Sequence, residues 1–193
     1  MLPSELLKES TARSHQRTEK ALISPIRSIR TKEDYLSLLT CLYGYFHPLE
    51  KYFDQYLAGA IPDYEKRRKS ERLLKDIHAL GYPAPAEFSQ NLPLIDTADQ
   101  ALGCFYVVEG SVLGGSVIKK MIRSQCEAIP EAAFSFLSGY YPDNAAMWRS
   151  FLALLNTTVK SEQQLQEVIS SGNDCFTKLE YWIANHYGIE YTA

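Results

Sequence analysis

YVVEGSVLGGSVIKK, residues 106–120, is a glycine-containing apolar stretch in the middle of the chain, and its spacing of apolar residues favours one long helix. Three glycines, Gly110, Gly114 and Gly115, fall within six residues of it. Each glycine in a helix interior costs about 0.8–1.0 kcal/mol relative to alanine. Small residues at this spacing let two helices pack backbone to backbone, and glycines also let a flat ligand lie against the backbone or permit a kink. The stretch alone leaves both explanations open.

Helical patterns continue on both sides of this stretch. Thr31 begins an N-cap pattern, and capping boxes at Thr97 and Ser161 predict the starts of two more helices, the first of which carries the glycines. Pro48 predicts a bend in the helix that follows Thr31. No alternating pattern of useful length predicts a strand. The sequence therefore predicts a single all-α domain over residues 1–193, with seven or eight helices.

Composition limits the class of protein. Of the 193 residues, 46% are hydrophobic and 22% are charged, and the net charge of −3 argues against nucleic acid as a partner. Residues 101–118 form the longest candidate for a membrane span, but Glu109 and several small residues interrupt it. The N-terminus is charged from Glu5 onward and lacks the apolar region of a secretion signal. Four cysteines without a CxxC pair suit a reducing compartment. We therefore expect a cytoplasmic protein with no membrane partner.

One of the four histidines lies in an informative context. His15 follows Leu7 and Thr11 on one helix face, and Glu19 lies one turn later. A neutral imidazole is a good ligand for haem iron, and a carboxylate one turn away can orient the ring. A His–Glu pair at this spacing is also an ordinary feature of helix surfaces. This segment alone therefore leaves the role of His15 open.

Taken together, the two segments resemble the haem oxygenase family in its bacterial form. LLKESTARSHQRTE matches the family's proximal-helix pattern at Leu7, Lys8, Thr11, His15 and Glu19. FYVVEGSVLGGSVIKK matches the distal-helix pattern at Tyr106, Val107, Glu109, Gly110, Ser111, Leu113, Gly114 and Gly115. Their order and separation along the chain also fit the family.

The resemblance implies a haem-oxygenase-like helical bundle in which haem is sandwiched between the proximal helix and a kinked, glycine-rich distal helix. It makes His15 the axial ligand of the iron and gives Glu19 a supporting role. It assigns the oxygen side, and hence catalysis, to Gly110, Ser111 and Gly114. The further haem contacts that it implies are Lys8, Thr11, Tyr106, Gly115 and Phe176.

The reaction implied by the resemblance is oxidative opening of haem to biliverdin, carbon monoxide and ferrous iron, with haem as both substrate and cofactor. It consumes O2 and needs an external electron donor, a ferredoxin or an NAD(P)H-dependent reductase, because the chain has no nucleotide-binding glycine loop or cysteine cluster. Two alternatives stay open. One is a non-catalytic protein that binds or transfers haem on the same fold, and the other is a haem-free helical relative, for example of thiaminase type.

The sequence departs from the family pattern in two places. Ser111 stands where mammalian members have an Asp that organises proton-delivering waters, although bacterial members also have Ser there. Ala12 and Asn173 stand where relatives commonly carry cations for the haem propionates, which leaves Lys8, with Arg13 nearby. Fewer cations predict weaker anchoring of the propionates. They also predict in-plane rotation of haem and a changed choice of meso carbon.

Overall fold

Residues 1–190, the part of the chain that the computed structural model describes, contain eight α-helices and two 3₁₀ turns joined by loops. The helices are α1 Pro3–Ser28, α2 Lys32–Leu57, α3 Glu71–Ala79, α4 Ala98–Gly110, α5 Val112–Gln125, α6 Ser135–Ser138, α7 Asn144–Thr158 and α8 Glu162–Tyr187. The 3₁₀ turns are Tyr64–Lys66 and Glu131–Phe134. Residues 1–190 contain no strand, which confirms the all-α prediction. The last three residues of the predicted domain lie outside the described part.

The predicted helix starts are confirmed. The side chains of Thr31, Thr97 and Ser161 each accept a hydrogen bond from the backbone N–H three residues later, at 3.1–3.2 Å. These bonds satisfy N–H groups that the first turn of a helix leaves without a partner. α2 continues through Pro48 as a single helix, so the predicted bend does not end it.

The sequence predicted one uninterrupted helix for the glycine-containing segment, but the structure shows two. α4 ends at Gly110, α5 begins at Val112, and Ser111 lies between them. The backbone of Ser111 stays near helical angles, with φ −61° and ψ −17°, and its N–H still bonds to the carbonyl of Val107 at 3.3 Å. Ser111 therefore keeps near-helical angles and one helix-type bond, while the regular ladder is interrupted at this residue. We call Gly110–Val112 the distal break.

α4 and α5 form the one stretch within residues 1–190 that is long and apolar enough to span a membrane by length and composition alone. Within its most apolar window, 61% is buried inside the protein. A Cβ atom at Gly103 would lie 2.1 Å from the Ser171 hydroxyl and 2.2 Å from the Val168 carbonyl oxygen. α4 therefore packs against α8 at a distance that only glycine allows, as a helix of the protein core.

α8 lies between α4 and α1 and packs against both of them. Gly172 on α8 faces the side chains of Leu7 and Thr11, where a Cβ atom would be 3.5 Å from each. Leu7 and Thr11 are buried in this seam. Because α8 holds α1 and α4 on its two sides, it fixes α1 beside the glycine-containing segment.

Candidate functional site

α1 runs in the same direction as α4 and α5 and meets them at two places. Near the start of α1, the Thr11 hydroxyl lies beside Tyr106: burial raises the pKa of Tyr106, and the bond with Thr11 acts in the opposite direction. Near the end of α1, the Gln125 side chain donates a hydrogen bond to the carbonyl of Ile26 at 2.9 Å. These two contacts bound the surface that the helices share.

The functional residues predicted on the two helices lie between these contacts. His15 lies four residues beyond Thr11, and Gly110 lies four residues beyond Tyr106, about one helical turn in each case. The His15 side chain is 53% exposed, and Gly114, one further turn along, is also exposed. His15 on α1 and the two predicted distal glycines on α4 and α5 therefore lie on the helix segments between the two contacts.

The His15 imidazole is held on one side and open on the other. Its ring packs edge-on against Phe176 of α8, with the centroids 5.4 Å apart. Its Nε2 is 3.6 Å from Oε1 of Glu19, which is within ion-pair range but longer than a hydrogen bond. Neither ring nitrogen forms a hydrogen bond within residues 1–190. Metals bind the unprotonated nitrogen of a neutral imidazole, and no protein group in the described part of the chain competes for the ring nitrogens of His15 by a hydrogen bond.

The three glycines have different surroundings. A Cβ atom at Gly115 would lie 2.2 Å from the carbonyl oxygen of Leu137, so Gly115 is buried and lets α5 pack against α6. A Cβ atom at Gly114 would meet only the Ile118 side chain of its own helix, at 3.9 Å. Gly110 is intermediate, because a Cβ atom there would lie 3.4 Å from the ring of Trp148. The helix-packing explanation holds for Gly115, whereas Gly114 leaves its surface open.

The Ser111 hydroxyl points inward, although the residue as a whole is exposed. It donates a hydrogen bond to the carbonyl of Val108 at 2.7 Å and accepts one from the guanidinium of Arg68. The Ser111 hydroxyl therefore donates its hydrogen bond to the backbone of α4.

A buried charge network lies behind the distal break, and sequence reasoning missed it. Arg67 donates to Oε1 of Glu109 at 3.2 Å, and the Tyr140 hydroxyl donates to Oε2 at 3.0 Å. Arg67, Arg68 and Glu109 are each at most 4% exposed. The run KRRK at residues 66–69 looks like a solvated helix end, and nothing in it signals burial.

Burial sets the protonation equilibria of this network. It raises the pKa of Glu109, while the hydrogen bond from Tyr140 and the charges of Arg67 and Arg68 act to lower that pKa. Burial also lowers the pKa of Arg68 to about 10, against the opposing effect of Glu109. Arg68 therefore stays charged at neutral pH. A buried cation of this kind persists only where several acceptors satisfy it.

The remaining predicted residues lie on the same two faces. Lys8 and Glu19 are exposed on α1, while Thr11 is buried and donates to the carbonyl of Leu7 at 2.7 Å. Asn173 joins α8 to α1: its amide oxygen accepts from the Ser14 hydroxyl at 2.7 Å, and its amide nitrogen donates to the backbone of α1. Asn173 therefore serves helix packing and is not a free group.

The Heme oxygenase family model matches residues 2–185, nearly the whole chain. The chain belongs to the haem oxygenase family. It is 26% identical over 179 residues to heme oxygenase PigA of Pseudomonas aeruginosa, covering 92% of this chain and 89% of that protein. It is 28% identical over 121 residues to the heme oxygenase of Xanthomonas campestris, covering 63% and 70%.

Solved haem oxygenase structures share the fold. The Neisseria meningitidis enzyme, determined with NO and CO bound, gives a TM-score of 0.81 at 22% identity and covers 100% of this chain and 96% of its own. The Leptospira interrogans enzyme gives 0.80 at 16% identity, covering 96% of this chain and 100% of its own. The family resemblance and the haem-oxygenase-like fold are thus confirmed.

The residues of the candidate surface fit haem, the group that this family binds. His15 offers an imidazole nitrogen to iron. Beside the open backbone of Gly114, Leu113 and Val117 on α5 are 48% and 64% exposed. Large apolar side chains exposed together mark a binding surface, and the face of a porphyrin is apolar. Lys8 offers a cation for a carboxylate.

Proposed function

We propose that this protein is an active haem oxygenase, which opens the haem ring to biliverdin, carbon monoxide and ferrous iron. Family membership supports haem degradation as the class of reaction. The observation that carries the proposal is the exposure of both the His15 imidazole on α1 and the side-chain-free backbone of Gly114 on α5, on two helices that contact each other. An exposed imidazole and an exposed side-chain-free backbone on two contacting helices suit a flat substrate between them.

His15 and Glu19 perform the proximal role in this proposal. His15 binds the haem iron through its nitrogen, and Phe176 limits rotation of the imidazole because it packs against the ring edge. Glu19, whose Oε1 lies 3.6 Å from Nε2, would accept a hydrogen bond from the ring nitrogen that does not bind iron. Such a carboxylate fixes the tautomer of a histidine ligand and raises its basicity.

The distal glycines keep the oxygen side open. When bound, haem supplies the redox chemistry that activates O2. Gly110 and Gly114 leave room for oxygen because neither has a side chain, and Leu113 and Val117 exclude bulk water from the surroundings. Ser111 contributes its backbone and the lone pairs of its hydroxyl, since the hydroxyl proton is held by Val108. A water in the site can therefore donate a hydrogen bond to this oxygen but cannot accept one from the hydroxyl.

Electrons come from a separate ferredoxin or NAD(P)H-dependent reductase, and the reaction takes place in the cytoplasm. The cysteines of the chain are consistent with a reducing compartment, because all four are free and buried. Lys8 holds a propionate at the edge of the site.

Haem titration followed by addition of reductant under air tests the proposal. We expect a Soret band that saturates at one haem per chain, then its loss with the appearance of bilin absorbance and captured carbon monoxide. Catalase is included so that free peroxide cannot carry the reaction. Stable haem binding without ring opening would instead favour a haem-binding or haem-transfer protein. The absence of any Soret change would favour a haem-free relative.

A further inference from the structure

The distal break leaves a backbone carbonyl that the helix does not satisfy. In an uninterrupted helix the carbonyl of Val108 accepts from the N–H of residue 112. The ladder is interrupted at Ser111, and the Val108 carbonyl instead receives the Arg68 guanidinium at 2.8 Å and the Ser111 hydroxyl at 2.7 Å. A buried carbonyl without a hydrogen-bond partner destabilises the folded state, so the hydrogen bonds from these two donors offset the free-energy cost of the break.

Arg68 connects the break to the elements around it. Besides Val108, its guanidinium donates to the Ser111 hydroxyl and to the carbonyl of Phe136 on α6 at 3.2 Å. It also lies over the Phe136 ring, 4.0 Å from the centroid. One buried side chain thus joins the end of α4, the residue of the break and α6. A cation at a helix C-terminus is further stabilised by the helix dipole.

The neighbouring arginine does something different. Arg67 binds Asp63 at 2.9 Å, Glu109 at 3.2 Å and the carbonyl of Met147 at 2.8 Å. It therefore neutralises the buried carboxylate and holds α7. Arg68 is the one of the pair that contacts the interrupted backbone.

We propose that Arg68 is a positioning residue, which caps the end of α4 and fixes the direction in which α5 leaves the distal break. Through this cap it sets the position of the Gly114 surface relative to Gly110. The consequence for catalysis rests on the proposed function, because it matters only if this surface faces haem. The cap itself is a property of the haem-free protein and is measured there.

The test is hydrogen–deuterium exchange of the haem-free protein. Arg68→Met keeps an unbranched side chain of similar length but removes every side-chain donor and the guanidinium contact with the Phe136 ring. We expect the backbone amides of residues 107–118 to exchange about tenfold faster or more, with α8 unchanged, since a charged hydrogen bond is lost at a buried carbonyl. Arg68→Lys keeps the charge and one donor group and should restore part of the protection.

Tyr35→Phe is the matched control. It removes another buried hydrogen bond to a backbone carbonyl, from the Tyr35 hydroxyl to Ala133 at 2.9 Å, away from the break. Unchanged exchange at residues 107–118 in Arg68→Met would overturn the proposal, and so would an equal rise in Tyr35→Phe. If Arg68→Met does not fold, the same comparison is made with Arg68→Lys.

The carbon monoxide complex of reduced, haem-loaded protein supplies a second readout. Its C–O stretching frequency responds to the groups beside the ligand, and it should shift or broaden in Arg68→Met but not in Tyr35→Phe. An unshifted band together with fast local exchange would overturn the positioning role and leave only a structural cap. Failure of the wild type to bind haem would instead reject the proposed function, while the exchange result would still decide the cap.

Discussion

The two sides of the candidate site are built in opposite ways. On the proximal side, His15 projects from an uninterrupted helix, is half exposed and needs little support from its neighbours. On the distal side, the backbone itself forms the surface, and buried Arg68 and Glu109 lie behind it. A side-chain ligand needs only a helix that presents it. An interrupted helix leaves carbonyls without partners, so the break requires buried donors.

Replacing the proximal ligand should have the largest effect on function and the smallest on the fold. His15→Ala should abolish the histidine-ligated spectrum of ferric haem and ring opening, and added imidazole should restore the spectrum. The free energy of unfolding should change by no more than about 0.5 kcal/mol, because the side chain makes few buried contacts. His78→Ala is the control, since His78 is also exposed on a helix. If His78→Ala loses the spectrum and His15→Ala keeps it, the assignment of the ligand is wrong.

Adding a side chain to the distal surface should slow ring opening while haem binding persists. Gly114→Leu, and likewise Gly110→Leu, should leave the His15 bond to iron in place while ring opening slows about tenfold or more, equivalent to about 1.4 kcal/mol in the barrier. The reason is steric, because the new side chain occupies the space for oxygen or its waters. Haem titration and the rate of bilin formation are compared with wild type. Undiminished biliverdin production in both variants would remove these glycines from the active site.

Alanine at two adjacent glycines should shift stability in opposite directions. Gly115→Ala should lower the free energy of unfolding by about 1–3 kcal/mol, because its Cβ collides with the Leu137 backbone. Gly114→Ala should raise it by about 0.5–1 kcal/mol, because its Cβ enters open space and alanine is the better helix former. Denaturant unfolding of the haem-free proteins measures both. Equal effects would show that the two glycines do not face different surroundings.

The glycine pair also shows what sequence can and cannot predict. The capping residues Thr97 and Ser161 predicted helix starts correctly, because their hydrogen bonds reach only three residues along the chain. The difference between Gly114 and Gly115 depends on where α6 packs, which no local pattern contains. Burial of Arg68 likewise depends on carbonyls 40 and 68 residues away. Contacts at such separations come from the fold and not from the composition of a segment.

Removing the exposed cation of α1 should have a moderate effect on binding. Lys8→Ala should weaken haem affinity by about tenfold, since a charge-assisted bond to a propionate is partly screened by solvent. Arg13→Ala is the comparison, because Arg13 is also exposed on α1 but lies outside the family pattern. Competitive haem transfer measures the affinities. A larger loss of affinity in Arg13→Ala than in Lys8→Ala would indicate that the propionate edge of haem lies nearer Arg13.

The smallest effect is expected at Asn173. The sequence suggested a missing cation at this position, and in the structure the Asn173 amide forms hydrogen bonds to α1. Asn173→Ala should lower the free energy of unfolding by about 0.5–1.5 kcal/mol, because the bonds to Ser14 and to the α1 backbone are lost. Asn173→Arg should carry the same loss but raise haem affinity or narrow the biliverdin isomers, since a second cation restricts in-plane rotation. Ser14→Ala breaks the same seam from α1 without adding charge, so it isolates the packing contribution. If Asn173→Arg matches Asn173→Ala in haem affinity and isomer ratio, the propionates do not reach α8, and the proximal helix alone anchors them.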